Sequence, residues 1–231
     1  MMAYKKEVLL GVKILKLTEM SNIELTSQST IGILFFMAKD DKQKIIIDAA
    51  LEVFRDKGFA NTRMADISNR AGVSYGLVYH YFSSKEVLFD VIVESWWKSL
   101  YEMLEREKTA EDRFENKLRN IICFFLDTYD TNPNLMAIFV TEVSRSSVYH
   151  TARGLSKFRK LFELFEQIMI VGKKNKFLRN DIAPHYLTYI FLGAIEAFLS
   201  VAVLGNEKLS NDRRIRATNA IISVFLNGAK V

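Results

Sequence analysis

The sequence predicts an all-α protein, because turn residues are sparse, apolar residues are periodic and phenylalanine is abundant. Only two of the 231 residues are proline, whereas a sandwich or barrel of short strands needs frequent turn signals. Apolar residues recur at helical intervals along most of the chain, and 17 phenylalanines supply bulk for a helical core. We expect nine helices and no strand, divided into an N-terminal three-helix unit over residues 39–86 and a larger helical unit over residues 87–231.

Residues 1–38 differ from the rest of the chain. A basic stretch and a polar stretch precede the apolar run IGILFFMA, which is too short to cross a membrane. Met37 stands just before the first well-patterned helix. We expect a leader here that is poorly structured or read from an early start, and we assign it no function.

The helices of the N-terminal unit are marked by apolar spacing and by caps. The first places apolar residues at i, i+4, i+7 and i+8 and ends at a glycine suited to a left-handed C-terminal position: Ile46, Ala50, Val53, Phe54 and Gly58. Thr62 can cap the second helix and Ser74 the third, on either side of a turn at residues 71–73. A fourth helix begins near Ser83 or Ser84 and runs into the larger unit.

The larger unit is expected to contain five more helices. Residues 187–205 have the length of a membrane span, but Glu196 at their centre would cost roughly 2.5–3.5 kcal/mol in a bilayer. A helix that is apolar all round also suits the interior of a soluble protein, so we expect a buried helix and no membrane partner. The five helices are predicted over residues 112–130, 134–147, 151–174, 182–204 and 211–228.

Few residues suit catalysis or metal binding. Cys123 lies alone in an apolar run, which excludes an intrachain disulfide and suits a reducing cytoplasm. The three histidines are isolated from one another in sequence, and no nucleophile elbow, Gly-rich phosphate loop or metal-ligand spacing is present. We expect a cytoplasmic protein that is not an enzyme and carries no cofactor or metal.

The stretch AGVSYGLVYHYFSSKE, residues 71–86, places glycine and aromatic residues where a merely stable helix would use better helix formers. Two short helices joined by a glycine-containing turn form a helix-turn-helix, whose second helix enters the major groove of DNA. Ser74 could then meet a phosphate, Gly76 would permit close approach, and Tyr75 and Leu77 could read base edges. Further contacts to bases or phosphates are expected from Arg63, Tyr79, His80 and Lys85.

Net charge does not decide this interpretation, and a second one stays open. The chain carries +5, but residues 39–86 hold eight basic and seven acidic side chains. Lys44 suits a phosphate contact, although charged helix faces are usually only solvated. Aromatic residues at helical spacing usually form core, as we expect for Tyr81 and Phe82. The alternative is therefore a helical lipid-binding or small-molecule-binding protein with a degenerate helix-turn-helix.

Residues 42–90 resemble the DNA-binding domain of the TetR family of bacterial transcriptional regulators. The similar string is ALEVFRDKGFANTRMADISNRAGVSYGLVYHYFSSKEVLF, with its Gly-Phe, Thr-Arg, Ala-Gly-Val-Ser and Tyr-His-Tyr-Phe segments in register. Tyr75 stands where lysine or another polar residue is common and Leu77 where threonine is common, so the operator sequence does not transfer. The resemblance implies DNA contacts at the matching positions Thr62, Arg63, Ser74, Tyr75, Gly76, Leu77, Tyr79, His80 and Lys85.

The resemblance also implies a C-terminal helical domain that dimerises and holds a pocket for an effector. The segment FVTEVSRSSVYHTARGLSKF resembles acyl-CoA-responsive repressors of fatty-acid degradation, in which case Arg145, Arg153 and Arg159 would face phosphate or carboxylate groups. Alternatively, these arginines are surface charges that pair with Glu142 or Glu163. The expected pocket residues are Trp96, Leu100, Phe125, Tyr129, Phe139, Glu142, Arg145, Phe162 and Phe165.

The last two helices are expected to form a homodimer. Small residues permit close helix approach and apolar residues supply contact area, which predicts a two-fold four-helix interface that uses Phe191, Ala194, Phe198 and Ile222. The predicted function is a ligand-responsive transcriptional repressor. Its dimer would bind a palindromic double-stranded operator and be released by a hydrophobic small molecule such as a fatty acid or acyl-CoA.

Overall fold

The computed structural model describes residues 41–143 and 152–229, which form nine α-helices and one π-helical turn. No strand occurs in these residues, so the all-α prediction is confirmed. The expected leader, residues 1–38, lies outside the described residues. The helices are α1 (Asp41–Lys57), α2 (Met64–Ala71), α3 (Tyr75–Tyr81), α4 (Lys85–Thr109), α5 (Phe114–Thr131), α6 (Pro133–Ile138), α7 (Ala152–Lys174), α8 (Pro184–Leu204) and α9 (Asn211–Ala229).

The three helices of the N-terminal unit are separated by turns that require glycine. Gly58 follows α1 with φ 75° and Gly72 follows α2 with φ 65°, a left-handed conformation that other residues adopt only at a cost. The Ser74 hydroxyl caps α3, accepting a hydrogen bond from the Leu77 N–H at 3.3 Å. The turn and this cap lie where the sequence predicts them.

The predicted cap of α2 is wrong by one residue. Thr62 is buried, and its hydroxyl donates to the Gly58 carbonyl at 2.8 Å, which closes the turn after α1. The residue at the start of α2 is Arg63, whose backbone N–H donates to the Asp66 carboxylate at 2.9 Å. The side chain that stabilises the start of α2 is therefore that of Asp66, at the third position of the helix, and not that of Thr62.

Helix α4 belongs to both parts of the molecule. Its first turns pack on the N-terminal unit, where the Phe89 ring lies 5.5 Å from Phe54 and 4.6 Å from Phe59 between centroids. Farther along, Trp96 and Trp97 are buried in the larger domain. The expected boundary between residues 86 and 87 falls within the first turn of this helix, so no linker separates the two parts.

The predicted helix over residues 134–147 is not regular in its described part. Helix α6 ends at Ile138, and the backbone widens into the π-helical turn Phe139–Val143. A π turn holds an extra residue and shifts the side chains that follow it. Here Phe139 packs against Trp96 with ring centroids 3.7 Å apart, so the irregular turn faces the interior of the larger domain.

Helix α8 is long and apolar enough, by length and composition, to cross a membrane, but only one of its faces is buried. The buried face contains Leu187, Phe191, Ile195, Leu199 and Ala202. On the opposite face Leu204 is 82% exposed and Val201 61% exposed. Within one chain the helix is therefore not buried all round, and a solvent-facing apolar stripe is left on its outer face.

Candidate functional site

The outward face of α3 is aromatic. Tyr75 and Tyr79 are one turn apart and are 52% and 43% exposed, with ring centroids 4.8 Å apart and their hydroxyl oxygens at 3.1 Å. The pKa of Tyr79 is raised, mainly by the hydrogen bond that its hydroxyl shares with that of Tyr75. Val78, between them in sequence, is fully buried and fixes which side of α3 faces outward. Two phenols are thus held together on the surface.

Gly76 has no structural reason to be glycine. It is exposed, it lies inside a helix, and a Cβ placed on it would meet no atom within 4 Å. Glycine inside a helix costs about 1 kcal/mol relative to alanine. Because no neighbouring atom of the chain requires glycine at position 76, the missing side chain suits the close approach of an external molecule.

Other expected contact residues surround this face. The Ser74 hydroxyl accepts the capping bond and keeps its own proton available to donate. His80 and Arg63 are exposed and Leu77 is half-buried. Lys44, on α1, is half-buried and acts electrostatically on Asp48, whose pKa is raised mainly by burial.

Two expected contact residues form hydrogen bonds within the chain. The hydroxyl of Thr62 is committed to the turn after α1, as described above. The Lys85 ammonium donates to the carbonyls of Phe59 at 2.8 Å, Ala60 at 3.1 Å and Thr62 at 3.0 Å, and it lies 4.7 Å from the centroid of the Phe59 ring. All three ammonium protons are used, so Lys85 ties α4 to the turn between α1 and α2 rather than presenting its charge outward.

Several charges near this face are paired within the N-terminal unit. Arg70 pairs with Glu52 at 2.7 Å and with Asp56 at 3.4 Å. Lys57 pairs with Asp66 at 2.8 Å, and its hydrogen bond is the main reason that the pKa of Asp66 is lowered. This pairing explains why the net charge of residues 39–86 carries little information about the exposed face of α3.

A second candidate site is an apolar cavity of about 310 Å³ in the larger domain. Its wall joins α4, α5, α6, the π-helical turn, α7 and α8, and it includes one charged side chain, Glu196. The lining residues are Trp96, Phe125, Met136, Phe139, Val140, Phe158, Leu161, Phe162, Leu192, Ile195, Glu196 and Leu199.

Four of the expected pocket residues line this cavity and three do not. Leu100 and Phe165 are fully buried in the core away from the cavity wall. The Tyr129 hydroxyl donates to the carbonyls of Ala202 at 3.0 Å and Glu207 at 2.8 Å, so it holds the end of α8 rather than a ligand. The expected residues that line the cavity are Trp96, Phe125, Phe139 and Phe162.

The expected polar groups of the pocket are mostly beyond what the structure describes. The side chains of Glu142 and Arg153 and the whole of Arg145 lie outside the described residues. Arg159 is exposed on α7 and does not line the cavity. The sequence did not single out Glu196 as a pocket residue, although its spacing from Leu192 and Leu199 on α8 was a usable signal.

Of the four expected dimer residues, two are buried within the chain and two are partly accessible. Phe191 and Ile222 are buried within the chain, and the Phe191 ring packs 5.1 Å from Phe225, so both belong to the core. Ala194 and Phe198 are half-buried on α8. The residues that leave an apolar stripe facing solvent are Tyr186, Ile190, Gly193, Ala197, Val201 and Leu204 on α8, with Ile215 and Val224 on α9.

Among the described residues, no group of three or more histidine, cysteine, aspartate or glutamate side chains is arranged to hold a metal ion. The outward face of α3 and the apolar cavity are the candidate sites that match the sequence-based expectations.

Comparison with known proteins identifies the N-terminal unit. Residues 46–92 match the family of bacterial regulatory proteins described as the tetR family. The chain is 25% identical over 154 residues to the transcriptional repressor DhaR of Mycobacterium sp. (strain GP1), covering 65% of this chain and 77% of DhaR. It is 20% identical over 190 residues to the fatty acid metabolism regulator protein of Bacillus subtilis (strain 168), covering 82% and 96% of the two chains.

The likeness extends to the fold of the larger domain. The transcriptional regulator FadR from Bacillus subtilis, solved in complex with stearoyl-CoA, superposes with a TM-score of 0.64 at 19% identity. The superposition covers 80% of this chain and 97% of FadR. Both the helix-turn-helix unit and the helical domain that follows it therefore have counterparts in known regulators.

Proposed function

We propose that the chain is a ligand-controlled repressor, because residues 46–92 match the tetR family of bacterial regulatory proteins and its relatives include transcriptional repressors. Its homodimer binds a palindromic operator in the cytoplasm, and a hydrophobic small molecule releases it from the DNA. The outward face of α3 is the observation that carries the first half of this proposal. A Cβ on Gly76 would meet no atom within 4 Å, the phenols of Tyr75 and Tyr79 are exposed on the same helix, and major-groove recognition needs a helix that can approach the duplex closely.

A second copy of the chain is the proposed occupant of the exposed stripe on α8. Along one exposed face, the small residues Gly193 and Ala197 lie between the large apolar side chains of Ile190 on one side and of Val201 and Leu204 on the other. Small residues allow two helices to approach closely, and a two-fold axis pairs the same stripe with itself. Such a dimer presents two α3 helices for half-sites about 34–36 Å apart, or a multiple of that distance.

Two physical connections link the cavity to the N-terminal unit that carries α3. Helix α4 carries Trp96 in the cavity wall and is tied to the N-terminal unit by Lys85 at its other end. The second connection is α6, which packs against α1, and the Arg55 guanidinium donates to the Asn134 side chain between them. A ligand that changes the position of either helix would change the spacing of the two α3 helices.

The expected energetics are modest and reciprocal. A tenfold loss of operator affinity requires about 1.4 kcal/mol of differential binding. By thermodynamic linkage, operator DNA must weaken the binding of the effector by the same factor. An acyl compound is one candidate effector, because the wall is apolar and because two relatives are named for fatty acid metabolism or were solved with stearoyl-CoA.

Fluorescence anisotropy with labelled DNA tests the proposal. The wild type is expected to bind a fragment of its own promoter more tightly than a scrambled fragment, with affinity that falls as salt rises. Tyr79→Ala is expected to lose this preference while keeping its helical content and its dimer. Equal affinity for both fragments at every salt concentration would instead support a small-molecule-binding protein with a degenerate helix-turn-helix.

A further inference from the structure

The wall of the apolar cavity is mainly aromatic. Trp96, Phe125, Phe139 and Phe162 contribute side chains from four different elements, and Trp96 lies 5.9 Å from Phe125 between ring centroids. The face of an aromatic ring carries negative electrostatic potential and attracts cations, with ring-to-cation distances up to about 6 Å. A cavity of this composition can therefore hold a positive group as well as an apolar one.

Glu196 is the one ionisable side chain among the described residues that line this cavity. It follows Leu192 on the cavity-facing side of α8 and is itself exposed, which places its carboxylate at the mouth. No hydrogen bond or ion pair joins the carboxylate of Glu196 to another residue within 41–143 or 152–229. Among the described residues, the charge of Glu196 is therefore unpaired.

The nearest lysines along α7 are engaged elsewhere. Lys157 forms an ion pair with Glu94 of α4. The Lys160 ammonium lies 4.5 Å from the centroid of the Tyr101 ring. These two lysines flank Phe158 of the cavity wall in sequence, yet both side chains contact α4 residues that do not line the cavity. The described wall thus offers a negative group and no positive group.

We infer that the effector is a lipophilic cation, whose ammonium group lies beside Glu196 while its apolar part fills the aromatic cavity. This inference rests on the proposed effector pocket and names a head group that differs from the anionic head of a fatty acid. Exposed ion pairs and exposed cation–π contacts each strengthen binding by only about a few-fold. With a carboxylate repelled where an ammonium is attracted, we expect about a tenfold preference for the cation.

Three probes with the same eight-carbon chain isolate the head group: octylammonium, octanol and octanoate. Their binding is followed through the fluorescence of the buried tryptophans, in full-length protein at neutral pH and below any micelle concentration. The wild type is expected to bind octylammonium about ten times more tightly than octanoate, with octanol between them. Glu196→Gln is expected to bring the three affinities to within about twofold, whereas Glu163→Gln, an exposed carboxylate on α7 outside the wall, leaves the preference intact.

The outcomes separate this inference from the proposed function. If octanoate binds as tightly as octylammonium, or if Glu196→Gln keeps the preference, the cationic head group is wrong while the effector pocket stands. If none of the three probes binds or changes operator affinity, and longer chains with the same heads also fail, the effector pocket itself is wrong.

Discussion

Replacing Lys85 by methionine separates the two roles that this residue could have. The change keeps most of the aliphatic stem and removes the ammonium group. In the structure that group donates to three carbonyls in the turn between α1 and α2 and lies over the Phe59 ring. We expect the variant to lose stability, because these carbonyls would lose their donor.

The magnitude follows from the number and type of bonds. A hydrogen bond from a charged donor contributes about 1.5–3 kcal/mol net, and a cation–π contact adds about 0.5–1 kcal/mol. The three bonds share one half-buried ammonium, and Ala60 is exposed to water, so the contributions do not add fully. We expect a loss of about 2–4 kcal/mol. For a chain of this size that corresponds to a fall in Tm of roughly 5–15 °C.

Urea unfolding followed by circular dichroism, at one fixed protomer concentration, measures this loss. The matched control is Lys98→Met, because Lys98 is 75% exposed and its nearest carboxylate, on Glu102, is 3.9 Å away. That variant is expected to change stability by less than about 0.5 kcal/mol. A Lys85→Met protein as stable as the wild type, but weaker on operator DNA, would show that Lys85 is a DNA contact and not a structural tie.

Three further predictions follow from named contacts. Gly76→Ala is expected to stabilise the protein by up to about 1 kcal/mol in urea unfolding and yet weaken operator binding in anisotropy; unchanged affinity would remove Gly76 from the DNA interface. Ile190→Glu is expected to elute as a monomer in size-exclusion chromatography with light scattering, whereas Ile45→Glu, an exposed isoleucine on α1, should remain dimeric. Burial raises the pKa of Tyr101 and Tyr129, and the nearby carboxylates of Glu94 and Glu207 raise it further. Tyrosine in the unfolded chain loses its proton near pH 10, whereas these two keep theirs to higher pH in the folded protein. The free energy of unfolding should therefore fall as pH rises past about 10. Urea titrations should show a shallower fall for the Tyr101→Phe, Tyr129→Phe double variant, and an identical fall would contradict the assignment.

The helix-turn-helix could be predicted closely because its signals are local. The turn at residues 71–73 and the cap at Ser74 depend on neighbours within three residues, and the structure places both as expected. The hydrogen bonds of Lys85 could not be predicted from local sequence, because their acceptors lie 23 to 26 residues earlier in the chain. The prediction that Thr62 caps α2 was wrong because its hydroxyl donates to the carbonyl of the earlier residue Gly58 instead of accepting a hydrogen bond from α2.

The larger domain shows where periodicity stops being informative. Helix α8 is apolar on every side, so the pattern could not tell that Phe191 faces the core while Ile190 faces solvent. Phe125 and Phe165 are equally large and apolar, and only the three-dimensional arrangement places Phe125 in the cavity wall and Phe165 elsewhere in the core. The π-helical turn after Ile138 has no glycine or proline to mark it.

Hydroxyl-radical footprinting of the wild type on its own promoter tests the central claim most directly, because it reports where and how the protein contacts DNA. The account predicts two protected half-sites on one face of the duplex, separated by about one helical turn or a multiple of it, and no protection with Tyr79→Ala. Protection spread evenly along the fragment, or a footprint that Tyr79→Ala leaves unchanged, would contradict the claim that the outward face of α3 reads the operator.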